Sequence, residues 1–84
     1  MVRDLIHSKQ VLRLRDRVIS TRKNCSYDDL EKLLLAVGFS VRKVSGSHRI
    51  FKMGSTVITV PERRRLKEVY VEHALDLVDE ALRG

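Results

Sequence analysis

The chain has 84 residues, 33% of them charged and 43% hydrophobic, and its formal net charge is +6. This length allows one small domain and excludes a second core, and the composition is that of a globular protein rather than a disordered one. No apolar run approaches the roughly 18 residues of a membrane span, and the start lacks a signal-peptide pattern, so a cytoplasmic protein is expected.

The first predicted element is a basic amphipathic helix from Arg3 to Lys23. Its apolar residues fall within about half of a helical wheel: Leu5, Val11, Leu12, Leu14, Val18 and Ile19. Arg15 and Arg22 interrupt that arc, which leaves open an extension that orders only on a partner, or a homodimer that supplies the partner surface. We therefore separate residues 1–24, an N-terminal helical extension, from a main domain at residues 25–84.

A second helix is predicted to begin after Ser26 and to end at Gly38. Ser26 is a favoured N-cap residue, and Asp29 follows three positions later, as in a capping box. Glycine is the usual residue just past a helix C-terminus. The apolar residues that recur at helical spacing, and are expected to be buried, are Tyr27, Leu30, Leu33, Leu34 and Val37.

Three β-strands follow, because β-branched and aromatic residues now cluster in short runs between small turn residues. The predicted strands span Phe39 to Val44, Ser47 to Met53, and Thr56 to Val60. Ser45 with Gly46, and Gly54 with Ser55, supply the two turns. Pro61 lacks an N–H for the ladder and ends the last strand.

The last predicted element is a helix with an acidic outer face. Its apolar stripe comprises Val69, Tyr70, His73, Ala74, Leu77, Val78 and Ala81. The stripe predicts that His73 packs in the core. Together the elements predict an α+β fold, in which a three-stranded antiparallel sheet carries helices on one face and an additional helix precedes them.

Charge is segregated along the chain. Residues 1–24 carry seven basic and two acidic side chains, and residues 38–67 carry eight and one. Residues 25–37 carry one basic and three acidic side chains, and residues 68–84 carry one and five. Such blocks predict a basic surface for a polyanion and a separate acidic surface, and nucleic acid is the leading candidate.

A histidine lies where a tight turn enters the central strand, in the segment GSHRIF at residues 46–51. By itself this position is more typical of a solvated strand histidine than of a catalytic one. Its surroundings are more specific, since a helix ending in Gly38 and Phe39 precedes the motif and a strand closing at Pro61 follows it. Over about residues 26–82 this arrangement resembles the HicA family of toxin–antitoxin mRNA interferases.

The resemblance implies a fold like a double-stranded-RNA-binding domain, RNA cleavage that depends on the histidine of the Gly-Ser-His motif, and neutralisation by a HicB-type antitoxin. It assigns His48 to the catalytic position, with Gly46 and Ser47 shaping its turn. It makes residues 25–84 a HicA-like domain and leaves residues 1–24 outside it.

The residue content suits RNA cleavage without a metal. RNA can cleave itself when its 2′-hydroxyl attacks the adjacent phosphorus, provided that a group moves protons. An imidazole acting as acid or base typically contributes about 10² to 10⁴-fold in rate, and cations stabilise the developing charge. The histidines His7, His48 and His73 are dispersed and Cys25 stands alone, so neither a metal site nor a disulfide is expected.

Strand geometry limits which cations can assist His48. His48 and Arg49 are adjacent and point to opposite faces. If Ser45 and Gly46 form a two-residue loop, Lys43 lies opposite His48 and is the nearest cation. The predicted RNA-binding residues are Lys43, Gly46, Ser47, Arg49, Lys52, Arg63, Arg64 and Arg65.

The same alternation predicts which face of the sheet each residue occupies. We expect Phe51 and Met53 to face the helices. His48, Ile50 and Lys52 are expected on the outer face, although Phe39 and Val41 fit this phase poorly.

The arginine run at residues 63–65 lies just before the last helix, where cations and unpaired N–H groups favour phosphate. A standard reader of duplex RNA also uses the first helix of the fold, which here carries Asp28, Asp29 and Glu31. mRNA or other single-stranded RNA is therefore the expected substrate.

Three functions agree with these patterns. The first is a metal-independent endoribonuclease restrained by an antitoxin. The second is a non-catalytic RNA-binding module in which His48 is only a contact. The third is a protein-interaction module that uses the first helix or the acidic last helix.

Overall fold

A computed structural model describes residues 9–83, with residues 43–45 described by their backbone alone. The elements are α1 (Lys9–Ser20), α2 (Tyr27–Val37), β1 (Ser40–Ser45), β2 (His48–Met53), β3 (Thr56–Pro61) and α3 (Glu68–Arg83). The strands form one antiparallel sheet in the order β1-β2-β3. The predicted α+β class is confirmed, and the arrangement is consistent with a fold like a double-stranded-RNA-binding domain. None of the described helices is long and apolar enough to cross a membrane.

Helix α2 forms where the sequence predicts it. The Ser26 hydroxyl accepts a hydrogen bond from the Asp29 N–H at 3.1 Å and caps the helix start. Gly38 ends the helix with φ of 127°, a conformation that residues with a Cβ rarely adopt, and its N–H donates to the carbonyls of Leu34 and Leu35. The predicted stripe is buried throughout: Tyr27, Leu30, Leu33, Leu34 and Val37.

Helix α1 packs into the same core as α2 and α3. Val11 and Val18 are 1% and 0% exposed, which confirms the centre of the predicted apolar arc, while Leu12 is 46% exposed. Leu5 and His7, which the predicted helix included, lie outside the described residues. The apolar side of α1 is thus covered by helices of its own chain.

Helix α3 buries a stripe that overlaps the predicted one at Ala74 and Val78. Its buried residues are Val71, Ala74, Leu75 and Val78. His73 is exposed and Val69 is 65% exposed, so the prediction that His73 packs in the core is wrong. Apolar residues occupy so many positions here that helical spacing allows two overlapping stripes, and packing against the other helices selects between them.

The sheet turns one face to the helices and the other to solvent. Phe51, Ile58 and Val60 are at most 3% exposed on the inner face. His48 and Lys52 are exposed on the outer face. The predicted assignment of the β2 side chains to the two faces is confirmed.

A β-bulge in β1 explains why its residues fit a simple alternation poorly. Val41 pairs with Phe51 and Lys43 pairs with Ile50, which leaves Arg42 as the extra residue. The bulge shifts the alternation of β1 by one residue. Phe39, just before β1, is 3% exposed in the core.

Candidate nucleic-acid interface

The turn before His48 is built from Gly46 and Ser47. Gly46 has φ of 59° and Ser47 does not have a positive φ, a pattern typical of a type II′ turn with glycine at its first central position. The predicted loop of Ser45 and Gly46 is therefore one residue too early. As a result Ser45, rather than Lys43, lies opposite His48, and the predicted pairing of His48 with Lys43 is wrong.

Lys43 occupies a different register position from the predicted one. Its Cα pairs with Ile50, two residues along β2 from His48. The Lys43 side chain is outside the described part of the structure. That Lys43 contacts RNA stays a prediction.

His48 is exposed at the end of the sheet where β1, β2 and β3 meet. Its Cα pairs with Ser45 on one side and with Pro61 on the other. Within residues 9–83 its ring has no hydrogen-bond or ion-pair partner. The backbone just before it is anchored, because the Ser47 carbonyl accepts a hydrogen bond from the Glu62 N–H. A solvent-facing imidazole on an anchored strand end can exchange protons with a bound ligand.

Arg49 lies on the opposite face from His48, as the strand alternation predicts. Its two terminal nitrogens lie 3.3 Å from Glu31 Oε2 and 3.1 Å from Glu62 Oε2. Its guanidinium carbon is 5.5 Å from the centroid of the Tyr27 ring. Two carboxylates thus already engage the cation that the sequence assigned to RNA.

Tyr27 completes this group of side chains. Its hydroxyl donates to Glu31 Oε2 at 3.0 Å, the same oxygen that Arg49 contacts. Burial, and then the hydrogen bond to Glu31, raise the pKa of Tyr27 well above its usual range. The phenol therefore stays protonated and remains a donor to Glu31.

The three arginines after β3 are exposed and, in the described part of the chain, their side chains have no ion pair. Arg63 and Arg64 line a cavity of about 260 Å³ beside the start of α2, together with Glu62 and Tyr27. The Leu66 N–H donates to the Cys25 carbonyl at 2.8 Å, which ties this segment to the helices. Because α3 begins only at Glu68, the arginines precede the helix rather than form its first turn.

Comparison with models of protein families shows which family the chain belongs to. A family model described as the HicA toxin of bacterial toxin–antitoxin matches residues 27–76, more than half of the chain. The chain belongs to the HicA toxin family. No curated protein and no solved structure matches it. The match begins at the first residue of α2, so α1 lies before it.

Family membership gives this HicA toxin a role in a toxin–antitoxin system and implies an antitoxin as its partner. The match includes His48, Arg49, Lys52 and the three arginines. The residues that the structure describes contain no group of three or more His, Cys, Asp or Glu side chains that could hold a metal ion.

Sequence reasoning missed the carboxylates beside Arg49. Glu31 and Glu62 lie 18 and 13 residues from Arg49, in different elements. No periodic pattern links such positions, because the tertiary packing of α2 on β2 and the pairing of β2 with β3 bring them together. The alternation of β2 did indicate that Arg49 and His48 occupy opposite faces.

Proposed function

We propose that this HicA toxin is a metal-independent endoribonuclease that cleaves mRNA or other single-stranded RNA in the cytoplasm, with His48 transferring protons. The observation that carries the proposal is the exposed imidazole at the sheet end. Pro61 pairs with His48, and after Glu62 the chain continues into the arginines at residues 63–65, which have no ion pair in the described part of the chain. A phosphate chain bound at this end of the sheet would then reach both His48 and these arginines.

The proposed reaction uses the RNA's own nucleophile. His48 accepts the proton of a ribose 2′-hydroxyl while that oxygen forms a bond to the adjacent phosphorus. The bond from phosphorus to the 5′-oxygen breaks, and the imidazolium returns a proton to that oxygen. The products are a 2′,3′-cyclic phosphate and a 5′-hydroxyl, so atoms and charge balance without a cofactor. DNA lacks the attacking hydroxyl and should resist.

The neighbouring side chains would hold the substrate. Arg63, Arg64 and Arg65 would bind phosphates, and Lys52 would add a cation on the outer face that His48 shares. Gly46 and Ser47 would shape the turn that displays the imidazole. A HicB-type antitoxin would inhibit the enzyme by covering this basic end of the sheet.

The test is to incubate purified protein with end-labelled RNA and with DNA of matching sequence, both in excess chelator. The wild type should cut RNA alone. His48→Ala should slow cleavage by about 10² to 10⁴-fold. His73→Ala is the matched control, because it removes an exposed histidine on α3, and it should cleave at the wild-type rate.

Unchanged cleavage by His48→Ala would exclude the catalytic role of His48. Uncut RNA retained by both proteins would indicate a binding module without catalysis. Binding that is weak and lost in modest salt would instead favour a protein-interaction module.

A further inference from the structure

We propose that Arg49 is a positioning residue for His48 and does not bind RNA. This inference rests on the proposed function. Arg49 follows His48 in β2, but its side chain extends to the helix side of the sheet, where it contacts α2 and the residue after β3. One side chain thereby links three parts of the fold beside the candidate catalytic residue.

The contacts of Arg49 engage both terminal nitrogens of its guanidinium. One terminal nitrogen contacts Glu31 and the other contacts Glu62, each on Oε2. Its Nε is buried, and within the described residues no hydrogen-bond partner faces it. Its guanidinium carbon lies over the Tyr27 ring, in cation–π range.

The charges around Arg49 also disfavour a phosphate. Arg49 with Glu31 and Glu62 sums to a net charge of −1, so these two carboxylates more than offset the charge that the guanidinium could offer to a phosphate. The arginines at residues 63–65 lack such carboxylate partners in the described chain. They are the better phosphate ligands.

Glu62 connects the Arg49 group to His48. Its carboxylate holds Arg49 at 3.1 Å, and its N–H donates to the carbonyl of Ser47, the residue before His48. Because the His48 ring has no side-chain partner in residues 9–83, its direction depends on the backbone that carries it. The Arg49 and Glu62 contacts hold that backbone from both sides.

The two roles of Arg49 predict opposite results for Glu62→Gln. If Arg49 positions His48, loss of the carboxylate should lower kcat about tenfold or more, with KM changed less than about twofold, since small displacements of catalytic groups cost this much. If Arg49 binds RNA, Glu62→Gln releases the guanidinium and removes a negative charge. The variant should then bind RNA more tightly than the wild type, and its kcat should be unchanged.

Arg49→Gln and the double variant complete the test. Positioning predicts that Arg49→Gln lowers kcat like Glu62→Gln, and that the double variant loses no more than either single one, because both break the same link. Arg49→Lys should not rescue kcat, since one ammonium does not span two carboxylates as a guanidinium does. The thermal unfolding midpoint of each variant identifies loss of the fold.

Lys52→Gln is the matched control. It removes one charge from the same strand on the outer face, where the described residues give Lys52 no ion pair. It should raise KM and lower the salt slope of RNA binding by about 0.7 while kcat holds. The same signature in Arg49→Gln would overturn the inference.

Failure of the proposed function is distinguishable from failure of this inference. Wild-type protein that cleaves RNA, with full kcat in Glu62→Gln, contradicts only the role of Arg49. If the wild type does not cleave RNA, the nuclease proposal fails, and NMR of the His48 ring then tests the positioning role. The His48 signals should shift in Arg49→Gln and in Glu62→Gln, and they should stay unchanged in Lys52→Gln. Unchanged signals in Arg49→Gln and Glu62→Gln would overturn the inference.

Discussion

Two arginine-rich regions of this toxin look alike in sequence and differ in their contacts. Three arginines of α1 and the turn after it are paired with carboxylates of α2 and α3: Arg15 with Asp79 at 2.7 Å, Arg17 with Asp29 at 3.2 Å, and Arg22 with Glu68 at 3.8 Å. The side chains at residues 63–65 have no ion pair in the described chain. The first region joins helices, and the second leaves its charge exposed.

The comparison shows why a net charge of +6 does not locate a binding surface. Three of the basic side chains before α2 meet acidic residues of α2 and α3, so blocks of opposite sign in the sequence partly offset each other in the fold. The arginines at residues 63–65, which have no ion pair in the described chain, follow β3 beside the strand end that carries His48. A polyanion should therefore discriminate between the two regions.

The largest expected effect tests that discrimination directly. Arg63→Gln with Arg64→Gln should weaken RNA binding and reduce the slope of log affinity against log salt by about 1.4, since each phosphate contact on single strands contributes about 0.7. Arg17→Gln with Arg22→Gln removes the same charge from the paired region and should leave the slope within experimental error. Binding is measured in a His48→Ala background across a salt series.

Equal losses of slope in the two double variants would contradict the proposed difference between the two arginine-rich regions. They would mean that RNA also contacts α1, and that its ion pairs open when RNA binds. A loss of slope only in the Arg17 and Arg22 variant would mean that the RNA interface lies on the helices.

A smaller effect tests whether α1 is a structural part of the toxin. Val18 is fully buried, and Val18→Ala removes two methyl groups and leaves a cavity, so the free energy of unfolding should fall by about 1.5 to 3 kcal/mol. Leu12→Ala changes an exposed residue of the same helix and should cost less than about 1 kcal/mol. Urea denaturation followed by circular dichroism measures both. Equal, small effects would mean that α1 is only loosely attached.

Local signals made much of this fold predictable. Ser26, Gly38 and the stripe between them define α2 by capping and helical spacing, both of which act within a few residues. The alternation of β2 placed Phe51 inside and His48 outside. The motif around His48, and its place between a helix and a strand, identified the family that the match at residues 27–76 shows.

The wrong predictions concern features that tertiary packing determines. A one-residue change in the turn at Gly46 moved Lys43 away from His48, because strand pairing shifts with the loop. The bulge at Arg42 depends on how an edge strand fits its neighbour. In α3 the apolar positions allowed His73 to face inward until helix packing was known.

The smallest expected effect concerns the shortest ion pair of the α1 region. The hydrogen bond from Arg15 lowers the pKa of Asp79, so the folded protein binds this proton less readily than the unfolded chain does. The pair's contribution is therefore present above about pH 4, the unfolded pKa of an aspartate, and is lost as the pH falls through the lower folded value. Asp79→Asn should show less acid destabilisation than the wild type.

The size of this contribution is limited by solvent. The side chains of Arg15 and Asp79 are 29% and 36% exposed, so a double-mutant cycle with Arg15→Gln and Asp79→Asn should give a coupling of about 1 kcal/mol or less at neutral pH, reduced by salt. Urea denaturation of the four proteins at neutral and acid pH measures it. A coupling that persists unchanged at acid pH would show that the interaction is not ionic. The paired arginines would then hold α1 by packing of their stems, and charge pairing would no longer separate the two regions.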